Sequence, residues 1–326
     1  MISRRTLLGT APALAATTLA GGAFAQSGYP NRTIKIVVGN AAGGTDDAIS
    51  RFVAEKLTKE FGQPVIVDNR GGASTTIAGA HVAQSPADGY TLLCLISAGI
   101  NQTVLRDKLS YKLSSFTPIA GVGGFPLALA VSGTTTNPKL SSFQDLVAAA
   151  RAGDGVTFAS GGVGTMGHLN CMRFLNAVKG KGVHVTYKNN PEGLQALMGG
   201  FTQMMFASAS EVSALRGDGK LRVLAVTSPQ RASNLPDVPT MKELGFPDFE
   251  ASLWHGFVAP VGTPPEIVAK LADAITNAVK DPEYVARFKP LAYQEDIRTG
   301  AALSSFLNGE ASRWKTVIVD NKIQVE

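Results

Sequence analysis

The chain reads as an α/β protein of two lobes, each a mainly parallel sheet flanked by helices. Three features predict this. Short β-branched apolar runs alternate with amphipathic stretches along most of the 326 residues; glycine-rich turns follow two of those runs, at Gly43-Gly44 and Gly161-Gly162-Val163-Gly164; and the text changes character between Phe116 and Pro126. Alternation of strand and helix favours parallel strands with both faces covered, and a 44% hydrophobic composition is enough for a core in each lobe.

The first 25 residues read as an address. Arg4-Arg5 precede the apolar run Leu7 to Ala23, and Ala23-Phe24-Ala25 offers a small-x-small cleavage site. Ser3-Arg4-Arg5-Thr6-Leu7-Leu8 resembles a twin-arginine signal, so export to the periplasm with cleavage after Ala25 is expected. Later apolar runs are too short for a membrane span. A formal charge of +5 without any Lys/Arg run leaves no footprint for nucleic acid. Cys94 and Cys171 sit in a strand and a helix and read as buried small hydrophobes.

Ile34, Ile36, Val37 and Val38 form the first predicted strand, and Gly39 and Gly43-Gly44 end it. A helix follows, capped by Asp46 or Asp47, with Ile49, Phe52, Val53 and Leu57 on its apolar face. Glycines before a helix start bare backbone N–H groups that favour an anion. Asp47 carries two readings, as a cap or as a charge facing the cleft that would welcome an amine; Arg51 one turn later can neutralise it.

Val65 to Val67 is the next strand, then the loop Asp68 to Thr76, a helix from Ile77 to Gln84, and a strand Tyr90 to Ile96 that ends on Ser97, Ala98 and Asn101. The stretch Phe116 to Pro126 is read as the first crossing, and Leu127 to Val131 as a new strand. Ser141-Ser142 caps a helix Phe143 to Ala150, and Val156 to Ala159 is a strand leading into the second glycine loop and its helix. Strands Val183 to Tyr187, Met204 to Ala207 and Leu221 to Thr227 and a helix Glu192 to Met198 complete this lobe. Arg231 to Pro239 is an extended return, and Phe246 to Pro260, Pro265 to Lys280 and Gly300 to Asp320 rejoin the first lobe.

Gly162-Val163-Gly164-Thr165-Met166-Gly167 matches the dinucleotide fingerprint in letters. The strand after it, however, leads to Lys188 where an acid for a ribose hydroxyl belongs. What survives is a helix start offering N–H donors to a smaller anion. Ser160 is the nucleophile that a secreted hydrolase would use, yet it lacks the glycine two residues before it, and His168, His184 and His255 have no acid at informative spacing. His168 and Cys171 make a single pair, short of a metal site.

Taken in order, several segments resemble the Bug-type periplasmic solute receptors of tripartite tricarboxylate transporters. They are Gly43-Gly44-x-x-Asp47-x-x-x-Arg51, Val67-Asp68-Asn69-Arg70, Ala87-Asp88-Gly89-Tyr90-Thr91-Leu92-Leu93 and Phe158-Ala159-Ser160-x-Gly162-x-Gly164-Thr165-x-x-His168-Leu169. Val185-Thr186-Tyr187-Lys188, Leu221 to Ser228, Leu235 to Thr240 and Trp254 to Pro260 with Gly262-Thr263-Pro264 continue the series. The resemblance implies a type II periplasmic binding fold that closes over a small carboxylate and delivers it to membrane subunits of the transporter. It also implies no enzymatic activity, no cofactor, no metal, no nucleic-acid partner and a monomer. Lobe 1 would span residues 26–125 and 236–326, and lobe 2 residues 126–235.

The loops and the resemblance together give the candidate ligand-binding residues. On lobe 1 these are Asn40, Ala41, Ala42, Gly43, Gly44, Thr45, Asp47, Ser97 and Asn101. On lobe 2 they are Ser160, Gly162, Gly164, Thr165, His168, Tyr187, Lys188, Asn189 and Gln203. Thr165 is the sharpest of them, its hydroxyl either donating to a carboxylate or serving as a helix cap. Ala42, Gly71 and Thr186 stand where the family commonly has proline, and Asn189 where it has glycine. Gln203 stands for a common aspartate, a lost negative charge that argues against an amino-acid ligand.

Overall fold

The computed structural model describes residues 28–106, 108–135 and 138–324; the expected signal peptide, residues 1–25, lies outside them. In lobe 1, β1 (Ile34–Val38) pairs in parallel with β2 (Val65–Asn69) and β3 (Thr91–Ile96). The crossovers are α1 (Thr45–Phe61) and α2 (Thr76–Ala83). Helix α1 buries Ile49, Phe52, Val53 and Leu57, the predicted face, and ends on Gly62, whose left-handed backbone (φ 65°) returns its N–H to Thr58 O. Directly after β3 the chain enters α3 (Ser97–Leu105).

The pivot of the sheet is β4 (Phe116–Ser132), one strand of 17 residues. The expected break at Pro126 does not occur; the strand changes partners instead. Phe116 to Pro126 pairs with β9 (Ser252–Pro260), and Leu127 to Val131 pairs with β7 (Met204–Ser208). Pro126 has no N–H to give, and the next amide, Leu127 N, goes to Thr227 Oγ1 at 3.0 Å, so the ladder is interrupted without the backbone turning.

Lobe 2 repeats the pattern. After α4 (Phe143–Arg151), which Ser142 and Asp145 open with a reciprocal capping box, β5 (Val156–Ser160) pairs in parallel with β6 (Gly182–Thr186) and with β7. Helices α5 (Met166–Val178) and α6 (Asn190–Met198) cross over between them, and α7 (Ala209–Leu215) precedes β8 (Leu221–Val226). The chain returns through β9, α8 (Pro265–Lys280), α9 (Pro282–Phe288), β10 (Gln294–Thr299) and α10 (Gly300–Asp320). The sheet order is β2-β1-β3-β9-β4-β7-β5-β6, with β8 and β10 also paired to β4. The outer strands are parallel, whereas β4, β8, β9 and β10 meet their partners antiparallel, because the strands that cross between lobes must run there and back.

Helix α10 is shared. Its Leu303 and Leu307 pack with Trp254 and Val258 of lobe 1, and its Trp314, Val317 and Ile318 pack with Met166 and Phe206 of lobe 2. Leu105 at the end of α3 also enters the lobe 2 core. Cys94 and Cys171 are buried free thiols, and burial pushes both up to about 12. No helix among the described residues is long and apolar enough to cross a membrane.

Candidate functional site

Between the lobes lies a cavity of about 480 Å³. Four helices of nine or more residues bring their first residues to it: Thr45 and Asp46 from α1, Ser97 and Ala98 from α3, Met166 and Gly167 from α5, and Asn190 from α6. Parallel strands cause this convergence, since each crossover helix starts at the carboxyl end of a strand and those ends face the cleft. The first intrahelical bond of α5 runs from Leu169 N to Thr165 O at 3.0 Å, so the Met166 and Gly167 amides precede the ladder. An anion in the cavity meets the positive ends of several helix dipoles at once.

The second glycine loop is held from three sides. Gly167 has no room for a side chain, because a Cβ would sit 2.6 Å from Phe206 O of β7; this is close helix–strand packing, the role of the last glycine in the fingerprint. Gly164 adopts φ 76°, and a Cβ there would meet Leu105 Cδ2 at 2.3 Å. Asn101, fully buried on α3, donates to Gly164 O at 3.4 Å, and His168 Nδ1 accepts from Gly164 N at 3.1 Å. Asn101, Gly164 and His168 therefore shape the loop from behind and do not line the cavity. Thr165 lines it, but as the N-cap of α5: its hydroxyl donates to Gly162 O at 2.8 Å and accepts from His168 N at 3.4 Å. Thr165→Val therefore lowers the unfolding free energy of the unliganded protein by about 1 kcal/mol. Urea denaturation of this variant checks the cap; an unchanged midpoint with weakened ligand affinity would return the hydroxyl to the ligand.

Asn40, Thr45, Ser97, Thr165, Lys188 and Asn189 of the expected residues are brought together on the cavity wall. Ser97 Oγ donates to Ser252 O at 3.0 Å and accepts from Trp254 N at 2.8 Å, tying α3 to β9. Asn189 caps α6, its Oδ1 accepting from Glu192 N. The others are placed elsewhere. Ala41, Ala42, Gly43 and Gly44 are exposed on the loop outside the wall. Asp47 turns inward, accepting from Gly43 N at 3.0 Å and from Arg51 Nε at 2.9 Å, and Arg51 holds its carboxyl below the usual carboxylate range. Tyr187 packs on the lobe 2 core, and Gly162 serves the loop through its carbonyl. Gln203 Oε1 accepts from Thr157 N at 2.7 Å, away from the cavity, so its substitution removes no charge from the site.

Residues not foreseen complete the wall. Asp46, rather than Asp47, faces the cavity, and its Oδ2 accepts from Asn40 Nδ2 at 2.9 Å. Ser208, Ser210 and Glu211 come from the start of α7, where Ser208 N donates to Glu211 Oε2 at 3.2 Å. The signal was available as Ser-x-x-Glu after a strand. Phe125, Trp254 and His255 close the apolar side. Burial raises Asp46 and Glu211 and lowers His255 to about 4, so that imidazole is neutral at pH 7.

The strand register also builds the Ser160–His184 pair. Phe158 of β5 stands opposite His184 of β6, which brings His184 Nε2 to 2.7 Å from Ser160 Oγ. Ser160 is fully buried, its Oγ also bonded to Gly162 O and Gly162 N, and His184 stacks on His168 at 4.0 Å. The cavity does not reach this pair. A second cavity, of about 640 Å³, is larger, but its lining includes no residue from the first turn of a helix, and its arginines are already paired, Arg231 with Glu243 at 3.1 Å, Arg298 with Asp296 at 2.6 Å and Arg313 with Glu310 at 2.7 Å. The cavity between helix starts is therefore the better candidate.

Residues 49–323 match the family described as tripartite tricarboxylate transporter family receptor. Protein BugT of Bordetella pertussis is 35% identical over 297 residues, 89% of this chain and 89% of that protein. A protein from the TAR-I ttuE-ttuC' intergenic region of Agrobacterium vitis is 35% identical over 311 residues, 94% of this chain and 89% of its own. Among solved structures, the periplasmic binding protein BugD superposes with a TM-score of 0.74 at 29% identity, over 91% of this chain and all of the other. MatC from Rhodopseudomonas palustris, solved with bound malate, gives 0.74 at 28% over 89% of this chain and 100% of that one. An R. palustris protein solved with adipate gives 0.75 at 27% over 91% and 99%.

Proposed function

The chain belongs to the tripartite tricarboxylate transporter receptor family, and from that premise we propose that it is an exported receptor that binds a small carboxylate between its lobes and delivers it to the membrane subunits of a transporter. The observation that carries this reading is the convergence of helix N-termini on one cavity, with those of α3 and α5 carrying no acidic residue in their first turns. Backbone N–H groups and helix dipoles recognise a carboxylate without an arginine clamp, and Lys188 adds one positive charge at the wall. The malate and adipate bound to the two R. palustris relatives support the same ligand class. The reading divides the chain into lobe 1, residues 26–125 and 236–326, and lobe 2, residues 126–235. It places the protein in the periplasm as a monomer beginning at Gln26, which the intact mass of the processed chain checks.

A hydrolase using Ser160 is the rival. Its serine and histidine are within hydrogen-bond reach, but they are closed beneath the glycine loop, and no acid among the described residues pairs with the histidine. One titration separates the two. For a receptor, the melting temperature rises with the logarithm of carboxylate concentration and the ligand is recovered intact. Conversion of the ligand, or shifts with amines and sugars alone, would contradict the proposal.

A further inference from the structure

The charges on the cavity wall do not suit a ligand that is anionic at both ends. Among the lining residues, Lys188 is the basic side chain, and Asp46 and Glu211 are the acidic ones. Asp46 sits in the first turn of α1 with 5% exposure and hydrogen-bonds Asn40. At α5 the helix start presents N–H groups to the cavity; at α1 the protein has placed its own carboxylate there, so a carboxylate approaching lobe 1 meets a like charge. His255, on the same wall, is buried with no partner for Nδ1 among the described residues. Its ring, neutral at pH 7, offers no cation to a second carboxylate. The substitution at Gln203, which argued against an amine in the ligand, lies outside the cavity and does not bear on it.

We propose that the ligand is an aminocarboxylate, its carboxylate at the starts of α5 and α6 beside Lys188 and its protonated amine on Asp46. This deepens the carboxylate-receptor reading and rests on it. An ammonium brings three donors for acceptors that the cavity wall offers, among them the Asp46 carboxylate and His255 Nδ1. Both acids already accept a hydrogen bond, Glu211 from Ser208 N and Asp46 from Asn40 Nδ2, but Glu211 belongs to the same lobe as the α5 and α6 starts that hold the carboxylate, which leaves Asp46 on the opposite lobe as the acid that discriminates.

The test is calorimetric titration of the mature chain at pH 7.5 with matched sets: 4-aminobutanoate, 2-aminobutanoate, butanoate and succinate, then 6-aminohexanoate, hexanoate and adipate. At least one aminocarboxylate should bind tenfold or more tightly than the dicarboxylate of equal length. In Asp46→Asn that ratio should fall at least tenfold, while the apo melting temperature stays within about 2 °C, since asparagine keeps an oxygen for Asn40. A dicarboxylate binding as tightly as its amino counterpart in the wild-type protein, or a ratio unchanged in Asp46→Asn, overturns the inference and leaves the carboxylate reading standing. Failure of every member to bind overturns both. The wild-type comparison decides by itself if the variant does not fold.

Discussion

Between pH 6.5 and pH 4 the protein loses several kcal/mol of stability. His168 and His255 are almost fully buried and held near a pKa of about 4, chiefly by desolvation, and His184 is lowered for the same reason. A histidine with a depressed folded pKa is neutral in both states above its unfolded value near 6.5. As pH falls below that value the unfolded chain takes up the proton first, so unfolding gains free energy until the folded pKa is reached. For each of His168 and His255 this comes to about 2 kcal/mol at pH 5 and about 3 kcal/mol below pH 4. The 4.0 Å stack of His168 on His184 adds a reason: protonating one ring places a cation against the other. Asp46 and Glu211 act with the opposite sign, because their raised folded values let the native state bind protons earlier, and they offset part of the loss. Urea midpoints at pH 7.5, 6, 5 and 4.5 measure the net effect. A midpoint that holds constant down to pH 5 would contradict it.

Trp314→Ala should cost about 3–5 kcal/mol in unfolding free energy and change ligand affinity less than twofold. Trp314 is fully buried in the lobe 2 core, and its Nε1 donates to Glu310 Oε2 at 3.0 Å. Truncation leaves a cavity and deprives a buried acid of one partner, although Arg313 still pairs with it. The location matters more than the size: the same helix anchors Leu303 and Leu307 in lobe 1, so α10 ties the two lobes together while contributing no residue to the cavity lining. Urea unfolding with calorimetry on the same variant tests this. A cost below 1 kcal/mol would show that α10 is not the tie that its packing describes.

The alternation of elements, both glycine loops and the cap at Ser142 are local signals, and the fold follows them. Helix α3 was not legible because Ser97 to Leu105 has neither an apolar stripe nor a capping side chain; it is helical because Ile100 and Leu105 find cores already built. Strand β10 reads QEDIRT, with no β-branched run, and it is a strand because β4 offers it a free edge. In the site, the loops announce themselves through glycine, yet the choice between Asp46 and Asp47 rests on a rotation of about 100° per residue around α1, invisible until the helix start is fixed. The Ser160–His184 contact spans 24 residues and depends on strand register, which spacing in the sequence does not encode. Gln203 and Tyr187 were legible as residues near strand ends, but the face of the strand or turn decided that they leave the cavity.

Where the carboxylate sits decides whether the cavity between the helix starts is the binding site. Amide chemical shifts of the ¹⁵N-labelled protein, titrated with a carboxylate that raises its melting temperature, read this directly. The largest perturbations are expected at the N–H groups of Met166, Gly167 and Asn190 at the starts of α5 and α6. Perturbations confined to residues 227–231 and 294–298, around the larger cavity, would contradict the assignment.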